Sequence, residues 1–362
     1  MNVWGNRLKL SIFGESHGRA VGIVVDGLPP GEPIDMGAVE LDMARRAPGR
    51  DDLSTARREP DTVEILSGLD SEGGTTGAPI CGVIRNTDAR SSDYGAQLRP
   101  GHADWTALMK FGGRADMRGG GHFSGRLTAP LVFAGSMAKQ ILLRRGVEIY
   151  GRVVSVGRVS AGCASPSIEE FRETAGLEFP ASAEASDAMK ESIREARGAG
   201  DSVGGVVEAA VFGLPGGLGE PFFASMESET ASLLFSVPAV KGVEFGDGFR
   251  LASMRGSEAN DPLYVEDGRI LARSNHNGGV LGGITNGMPL IVRAAIKPTA
   301  SIALEQESVD PASMEGTTVR VRGRHDPCIA PRVVPVVEAC LALSSLDAML
   351  AARQIRAQER ER

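Results

Sequence analysis

The chain lacks any paired cysteine motif. Its four cysteines, Cys81, Cys163, Cys328 and Cys340, form no CxxC and no zinc-ligand spacing. With no signal peptide at the N-terminus, this predicts structural thiols in a reduced, cytoplasmic protein. No uninterrupted apolar run approaches the ~20 residues of a membrane span, so no membrane partner is expected. HExxH and close histidine pairs are missing, which counts against metal, the rival chemistry to proton transfer here. GKS and GKT are missing, so there is no Walker loop, and no repeat of solenoid length is present. Aromatic residues are few, at 5%. Basic charge is not in excess: the formal net charge is −7, which argues against a nucleic-acid partner. It leaves room for a local anion site, because a local field can oppose the global sign. Lysine is scarce too, at six of the 39 basic residues. Arginine dominance fits anion recognition, and a GC-rich genome gives the same bias.

Glycine, by contrast, is abundant at 47 residues, and 42% hydrophobic content in 362 residues suffices for a sizeable core. The glycines crowd into the stretch from Arg99 to Arg126, RPGHADWTALMKFGGRADMRGGGHFSGR, with five Lys or Arg and two His among them. Such density is unfavourable inside helices and strands, and it leaves backbone N–H groups open to a ligand. Guanidinium forks match phosphate and carboxylate oxygens, so the stretch reads as a pocket for a small polyanion. A flexible, solvated basic loop is the alternative reading of the same composition.

Arg7 to Phe13 reads as a strand that runs into GESHG at 14–18, followed by a second strand in AVGIVVDGLPP. His17 then sits at a glycine-flanked strand connection, as a functional or a structural histidine. Asp35 is an N-cap candidate for a helix ending at Ala47, before Pro48-Gly49. Arg45 and Arg46 in its last turn suit the macrodipole, but Arg50, Arg57 and Arg58 extend the run across a loop. Thr62–Leu66 and Pro79–Ile84 read as strands. Leu127 to Arg145 is the clearest helix, with Gly146 as its stop. Ser124, Gly125 and Arg126 thus precede a helix N-terminus, which favours anions. Ser167–Gly200 reads as exposed helices, and Val203–Phe212 as a strand. SNHNGGVLGGITNG (274–287) is not GxGxxG and no helix follows. Met288–Ile296 is a strand delivering Lys297. A helix from about Arg332 to Arg353 follows RGRHDPC, where Asp326 is a proton acceptor or a cap. The charged tail reads as fraying.

All five histidines (17, 102, 122, 276 and 325) fall in glycine- or arginine-rich loops. Histidines beside arginines and a carboxylate suit proton transfer on an anionic substrate.

The ordered set GESHGRAVGIVVDGLPPG, RREPDTVEILSG, TTGAPI, RPGHAD, RGGGHFSGRLT, AVKGVEFGDGF, SNHNGGVLGGITNG, KPTAS and GRHDPC resembles the chorismate synthase family over roughly residues 7–350. The resemblance implies a 1,4-anti elimination of phosphate from 5-enolpyruvylshikimate 3-phosphate, giving chorismate in the shikimate pathway. It also implies reduced FMN (FMNH2) as cofactor, contact with NADPH as an open question, and a homotetramer. With no reductase domain in the sequence, an external flavin reductase is expected. The implied fold is α/β of the α+β type, a sandwich of long helices between two antiparallel β-sheets. It would form a single domain over residues 1–353, with a charged tail over 354–362.

By motif, the resemblance makes His17 the acid for departing phosphate, His102 the partner of the reduced flavin near N1, and Asp326 the acceptor of the C6 proton. Arg46 matches an arginine the family assigns to nicotinamide or phosphate contact. Arg126 and Arg324 match arginines lining substrate and flavin, and Arg50 stands in for an arginine expected where Asp52 is found. Flavin contacts fall at His122, Phe123 and Ser124, at Pro238 and Ala239, at Gly282, and at Lys297, Pro298, Thr299, Ala300 and Ser301. His122, Phe123 and Pro238 depart from the commoner family pattern. A flavin-dependent oxidoreductase and a non-catalytic binder of phosphorylated metabolites remain the alternatives.

Overall fold

A computed structural model describes residues 2–49, 53–54, 59–87, 97–162, 167–321 and 325–360, with side chains as far as 352. Arg50, Asp52, Arg57, Arg58, Cys163 and Arg324 lie outside the described residues.

The first sheet contains β1 (Val3–Trp4), β2 (Lys9–Gly14), β3 (Ala20–Asp26), β4 (Val63–Ser67) and β5 (Ile80–Arg85), in the antiparallel order β1-β2-β3-β5-β4. Ile23 of β3 pairs with Ile12 of β2 and Gly82 of β5, which places Val21, Ile23 and Val25 in the core. Between β3 and β4 runs α1 (Met36–Arg46), capped as its sequence predicts: the Asp35 carboxylate accepts from the Gly37 N–H at 2.8 Å.

The Arg99–Arg126 stretch is more ordered than its glycine content suggests. It holds α2 (Asp104–Phe111), which ends at Gly112 in the left-handed region, and a 3-10 turn over Arg118–Phe123. The glycines flank α2 rather than enter it. The next helix, α3 (Thr128–Leu143), is buried on almost every face. It comes very close to its neighbours: a Cβ on Gly82 would lie 2.4 Å from the Phe133 ring, and one on Gly135 2.2 Å from the Ala339 Cβ.

The second sheet contains β6 (Glu148–Val156), β7 (Val159–Ser160), β8 (Gly205–Phe212), β9 (Val240–Phe245) and, later in the chain, β14 (Leu290–Ile296). Its antiparallel order is β7-β6-β8-β14-β9. Between β7 and β8 lie α4 (Ile168–Ala175) and α5 (Ala183–Gly198). These two are less exposed than their Ala/Glu composition predicts, because Phe171, Met189 and Ile193 are buried. Then α6 (Met226–Ser236) leads into β9, and a short α7 (Gly256–Ala259) follows it. Two hairpins, β10 (Leu263–Glu266) with β11 (Arg269–Ala272) and β12 (Val280–Leu281) with β13 (Ile284–Thr285), precede β14. A third, β15 (Gln306–Asp310) with β16 (Glu315–Val319), follows it.

The chain closes with α8 (Ala330–Arg360), which continues past the end its sequence predicts. By length and composition its segment Ala330–Ala352 could cross a membrane, contrary to the expectation that no such segment exists. Glu338 and Asp347 interrupt the apolar run, and most of the segment is buried between α3 and the second sheet. It is a core helix. Glu338 is held there by Arg45 at 2.7 Å and Lys139 at 2.9 Å. Asp347 accepts from the N–H groups of Asn6, Arg7 and Leu8 at 3.0, 2.6 and 2.7 Å, pinning the N-terminal segment to the helix. The helical layer α1, α3, α6 and α8 therefore lies between two antiparallel sheets, the α/β sandwich expected.

Candidate active site

At one edge of this sandwich a cavity of about 630 Å³ opens, within the range of about 300–1,000 Å³ typical of small-molecule sites. Six separate segments reach it: the end of α1, Glu59 ahead of β4, the Arg99–Arg126 stretch running into α3, the α6–β9 connection, the segment after β14 and the approach to and first turns of α8.

His102 and Asp326, predicted as proton-transfer groups, line this one cavity. Nδ1 of His102 lies 2.7 Å from the Asp104 carboxylate, which also accepts from the Arg99 backbone N–H at 3.0 Å and from its guanidinium twice at 2.8 Å. Burial pushes the Asp104 carboxyl up, but the hydrogen bonds and charges of His102 and Arg99 outweigh it and hold the group well below the usual carboxylate range. The ionised carboxylate therefore accepts a hydrogen bond from Nδ1–H, and Nε2 is left facing Gly120, beside the cavity.

His17 does not line the cavity itself. It packs behind Gly119, which does: a Cβ on Gly119 would fall 1.9 Å from the His17 ring. Gly119, Gly120 and Gly121 all carry positive φ (61°, 90° and 53°), so this turn is closed to ordinary residues. The GESHG loop is fastened to its surroundings. Ser16 N donates to Gly121 O at 3.0 Å, and Asn86 Nδ2 donates to the carbonyls of Glu15 and Gly18 at 3.0 and 2.9 Å. His122 Nδ1 donates to Gly14 O at 2.7 Å.

Arg46 and Arg126 converge on Asp61, one guanidinium to each carboxylate oxygen. All three are buried, and Asp61 holds a φ of 52°, unusual for a non-glycine residue. Burial raises the Asp61 carboxyl, but its two arginines more than compensate and keep it below its ordinary value. Arg126 is largely committed to protein partners: Asp61, Asn86 Oδ1 at 2.9 Å and Arg85 O at 3.3 Å. Arg46 is not. Its Nε is buried with no hydrogen-bond partner among the described residues. Burial, with the charges of Arg332 and Arg126 close by, brings its pKa down to about 10 despite Asp61. A buried cation beside other cations, with an unused donor at a cavity wall, calls for an anion.

Asp326 lies before α8 but is not its N-cap residue, since the helix begins at Ala330. Its carboxylate accepts from the Arg332 guanidinium. His122, Phe123 and Ser124 line the cavity, as do Pro238 and Ala239 and the whole run Lys297, Pro298, Thr299, Ala300, Ser301. Ala239 has a φ of 74°, and Thr299 Oγ1 is buried without a partner among the described residues. Gly282 does not line the cavity and sits in the β12–β13 turn. His276 is also elsewhere, its Nδ1 2.6 Å from Asp247 at the far end of β9. The arginine run at 50, 57 and 58, and Arg324, fall outside the described residues. Sequence reasoning missed Asp61, Asp104 and Arg332. Asp104 was the most accessible of these, as an acidic residue two places after His102.

The arrangement is that of an α/β enzyme whose one cavity gathers arginines, a histidine and a carboxylate, groups able to hold a small polyanion and to move protons on it. A family profile described as chorismate synthase matches residues 8–350. The chorismate synthase of Thermococcus kodakarensis is 48% identical over 352 residues, covering 96% of this chain and 98% of that one. The chorismate synthase of Methanosarcina mazei is 47% identical over 354 residues, covering 96% of each. A crystal structure of chorismate synthase matches with a TM-score of 0.76 at 30% identity, covering 96% of this chain and 93% of the other. The chain belongs to the chorismate synthase family.

Proposed function

We propose that this cavity carries out the family's reaction, the 1,4-anti elimination of phosphate from 5-enolpyruvylshikimate 3-phosphate to give chorismate in the shikimate pathway. The observation that carries the reading is the convergence of Arg46 and Arg126 on one buried carboxylate at the wall that His102 and Asp326 share. Two guanidiniums against one carboxylate leave positive charge for a substrate with one phosphate and two carboxylates. Arg46 Nε, without a partner among the described residues, is the donor for it. Arg126 acts mainly by holding Asp61 and the Asn86 side chain that fastens the His17 loop. His17 protonates the phosphate as the C3–O bond breaks, reaching the substrate past the Gly119 backbone. Asp326 accepts the proton from C6, and the C6–H electrons form the new double bond. His102, with Nδ1 held by Asp104, presents Nε2 to the cavity as a proton-holding group.

The cavity fits reduced FMN as the resident cofactor. The buried hydroxyl of Thr299, without a partner among the described residues, and the run Lys297–Ser301 stand beside Pro238 and Ala239, where Lys297 N donates to Ala239 O at 2.9 Å, and would hold the flavin with His122, Phe123 and Ser124. When bound, the flavin would supply electron density to the site, while Arg46, His17 and Asp326 bind the anion and move the protons. NADPH contact is proposed through Arg46. Reduced flavin comes from an external flavin reductase in the cytoplasm. A homotetramer is supported by Phe222, Phe223 and Phe249, apolar side chains left exposed on one chain that neighbouring copies would cover.

Phosphate release under anaerobic conditions, with and without reduced FMN, tests the reading. The lyase releases phosphate and chorismate in equal amounts while the flavin stays reduced. Stoichiometric flavin oxidation would make it an oxidoreductase, and tight ligand binding with no phosphate released under any reducing condition would make it a binding protein.

A further inference from the structure

Asp326 stands on irregular chain ahead of α8, and Arg332, in the first turn of α8, reaches back to its carboxylate. Its guanidinium donates through NH1 to Asp326 Oδ2, and through Nε to the main-chain carbonyl of Arg46 at 3.1 Å. Arg46 is the last residue of α1, lines the cavity and carries a buried Nε with no partner among the described residues. One planar fork therefore ties the proton acceptor to the end of the helix bearing the anion site. Arg332 itself lines the cavity, and α8 behind it is anchored in the core by Val333, Val334 and Val337.

We propose that Arg332 is the positioning residue of the base: it fixes the Asp326 carboxylate against the substrate ring and sets its separation from the Arg46 anion site. The inference rests on the reading of Asp326 as the acceptor of the C6 proton. In an elimination, acceptor and leaving group act at different carbons of one ring, so their separation has to match the substrate. A misplacement of about 1 Å can cost on the order of 10²-fold in rate. Lysine keeps the charge but not the fork, and cannot hold both partners in one plane. The other ionisable side chains within two residues of Asp326 in sequence are Arg324, which lies outside the described residues, His325 and the buried Cys328.

The test compares Arg332→Ala, Arg332→Lys and Asp326→Asn in the flavin-loaded enzyme, using substrate with hydrogen or deuterium at C6. Thermal unfolding and flavin titration serve as folding controls. Arg332→Ala should lower kcat by about 10²-fold or more while KM changes by less than about tenfold. The C6 deuterium isotope effect on kcat should rise as proton removal becomes limiting. Added guanidinium should restore at least about tenfold of the lost rate, and ethylammonium should not. Arg332→Lys should stay at least about tenfold below wild type. If Arg332→Ala fails to fold, the Lys variant carries the isotope and kcat-against-KM comparison. A loss confined to KM, or an unchanged isotope effect in a folded variant, would overturn the inference. Asp326→Asn separates it from its parent: if that variant stays active, the base itself is misassigned. If it is inactive while the Arg332 variants turn over normally, only the positioning role falls.

Discussion

His102 and Asp104 face each other across one hydrogen bond of 2.7 Å, in a pair that Arg99 closes from the other side. The carboxylate fixes which imidazole nitrogen carries hydrogen. Asp104→Asn should leave the ring in place but allow the wrong tautomer, lowering kcat by roughly 10–10³-fold with little change in KM. His102→Ala should lower it by roughly 10²–10⁴-fold. Steady-state kinetics under anaerobic conditions measures both, and wild-type rates in either variant would remove the pair from the chemistry.

Gly119 is where His17 meets the cavity. Gly119→Ala puts a methyl group into the His17 ring at a φ of 61°, so either the ring or the turn has to move. Turnover should fall by at least about tenfold, while α3 and the sheets stay intact by circular dichroism. An Ala variant with normal turnover would show that His17 acts from a different position or not at all.

Asp61 balances two buried guanidiniums. Asp61→Asn leaves both without a counter-charge and should cost about 3–5 kcal/mol in urea unfolding. Added phosphate or sulfate should recover part of that loss by occupying the Arg46 site. A variant as stable as wild type, or one indifferent to anions, would contradict the charge balance described for this wall.

Glu338 lies away from the chemistry and reports on the core. Burial raises its pKa, but the charges and hydrogen bonds of Lys139 and Arg45 lower it further, from the ordinary 4.5 to about 2. A carboxyl depressed by folding contributes its full stability above the unfolded value and loses it as pH falls through the folded one. Unfolding free energy should therefore drop between about pH 5 and pH 2 in the wild type, and drop less steeply in Glu338→Gln. Equal slopes in the two proteins would show that the ion cluster is not coupled to folding.

Much of this was legible in the sequence. Asp35, Pro48 and Gly146 bound their helices by local chemistry, and the alternation over Arg7–Phe13 places β2 within two residues, while β3 starts at Ala20 as read and ends earlier, at Asp26. The Arg99–Arg126 stretch showed itself as a ligand-facing segment because glycine and arginine rarely crowd together without cause. Its helix α2 was hidden, because glycines on both sides drew attention from the eight residues between them. Asp61 and Arg332 were not legible for a different reason. Each acts on a partner far away in the chain (Asp61 on Arg126, Arg332 on Arg46), and only the fold brings them together. The membrane-length character of α8 was missed because Glu338 and Asp347 break the apolar run, and their partners come from other elements.

The most direct measurement is a crystal structure of the enzyme with reduced or oxidised FMN and 5-enolpyruvylshikimate 3-phosphate. The account predicts both ligands in the one cavity, with a substrate anion on Arg46, C6 facing Asp326, and the flavin against Thr299 and His102. Substrate bound at a surface that includes neither Arg46 nor Asp326 would contradict it.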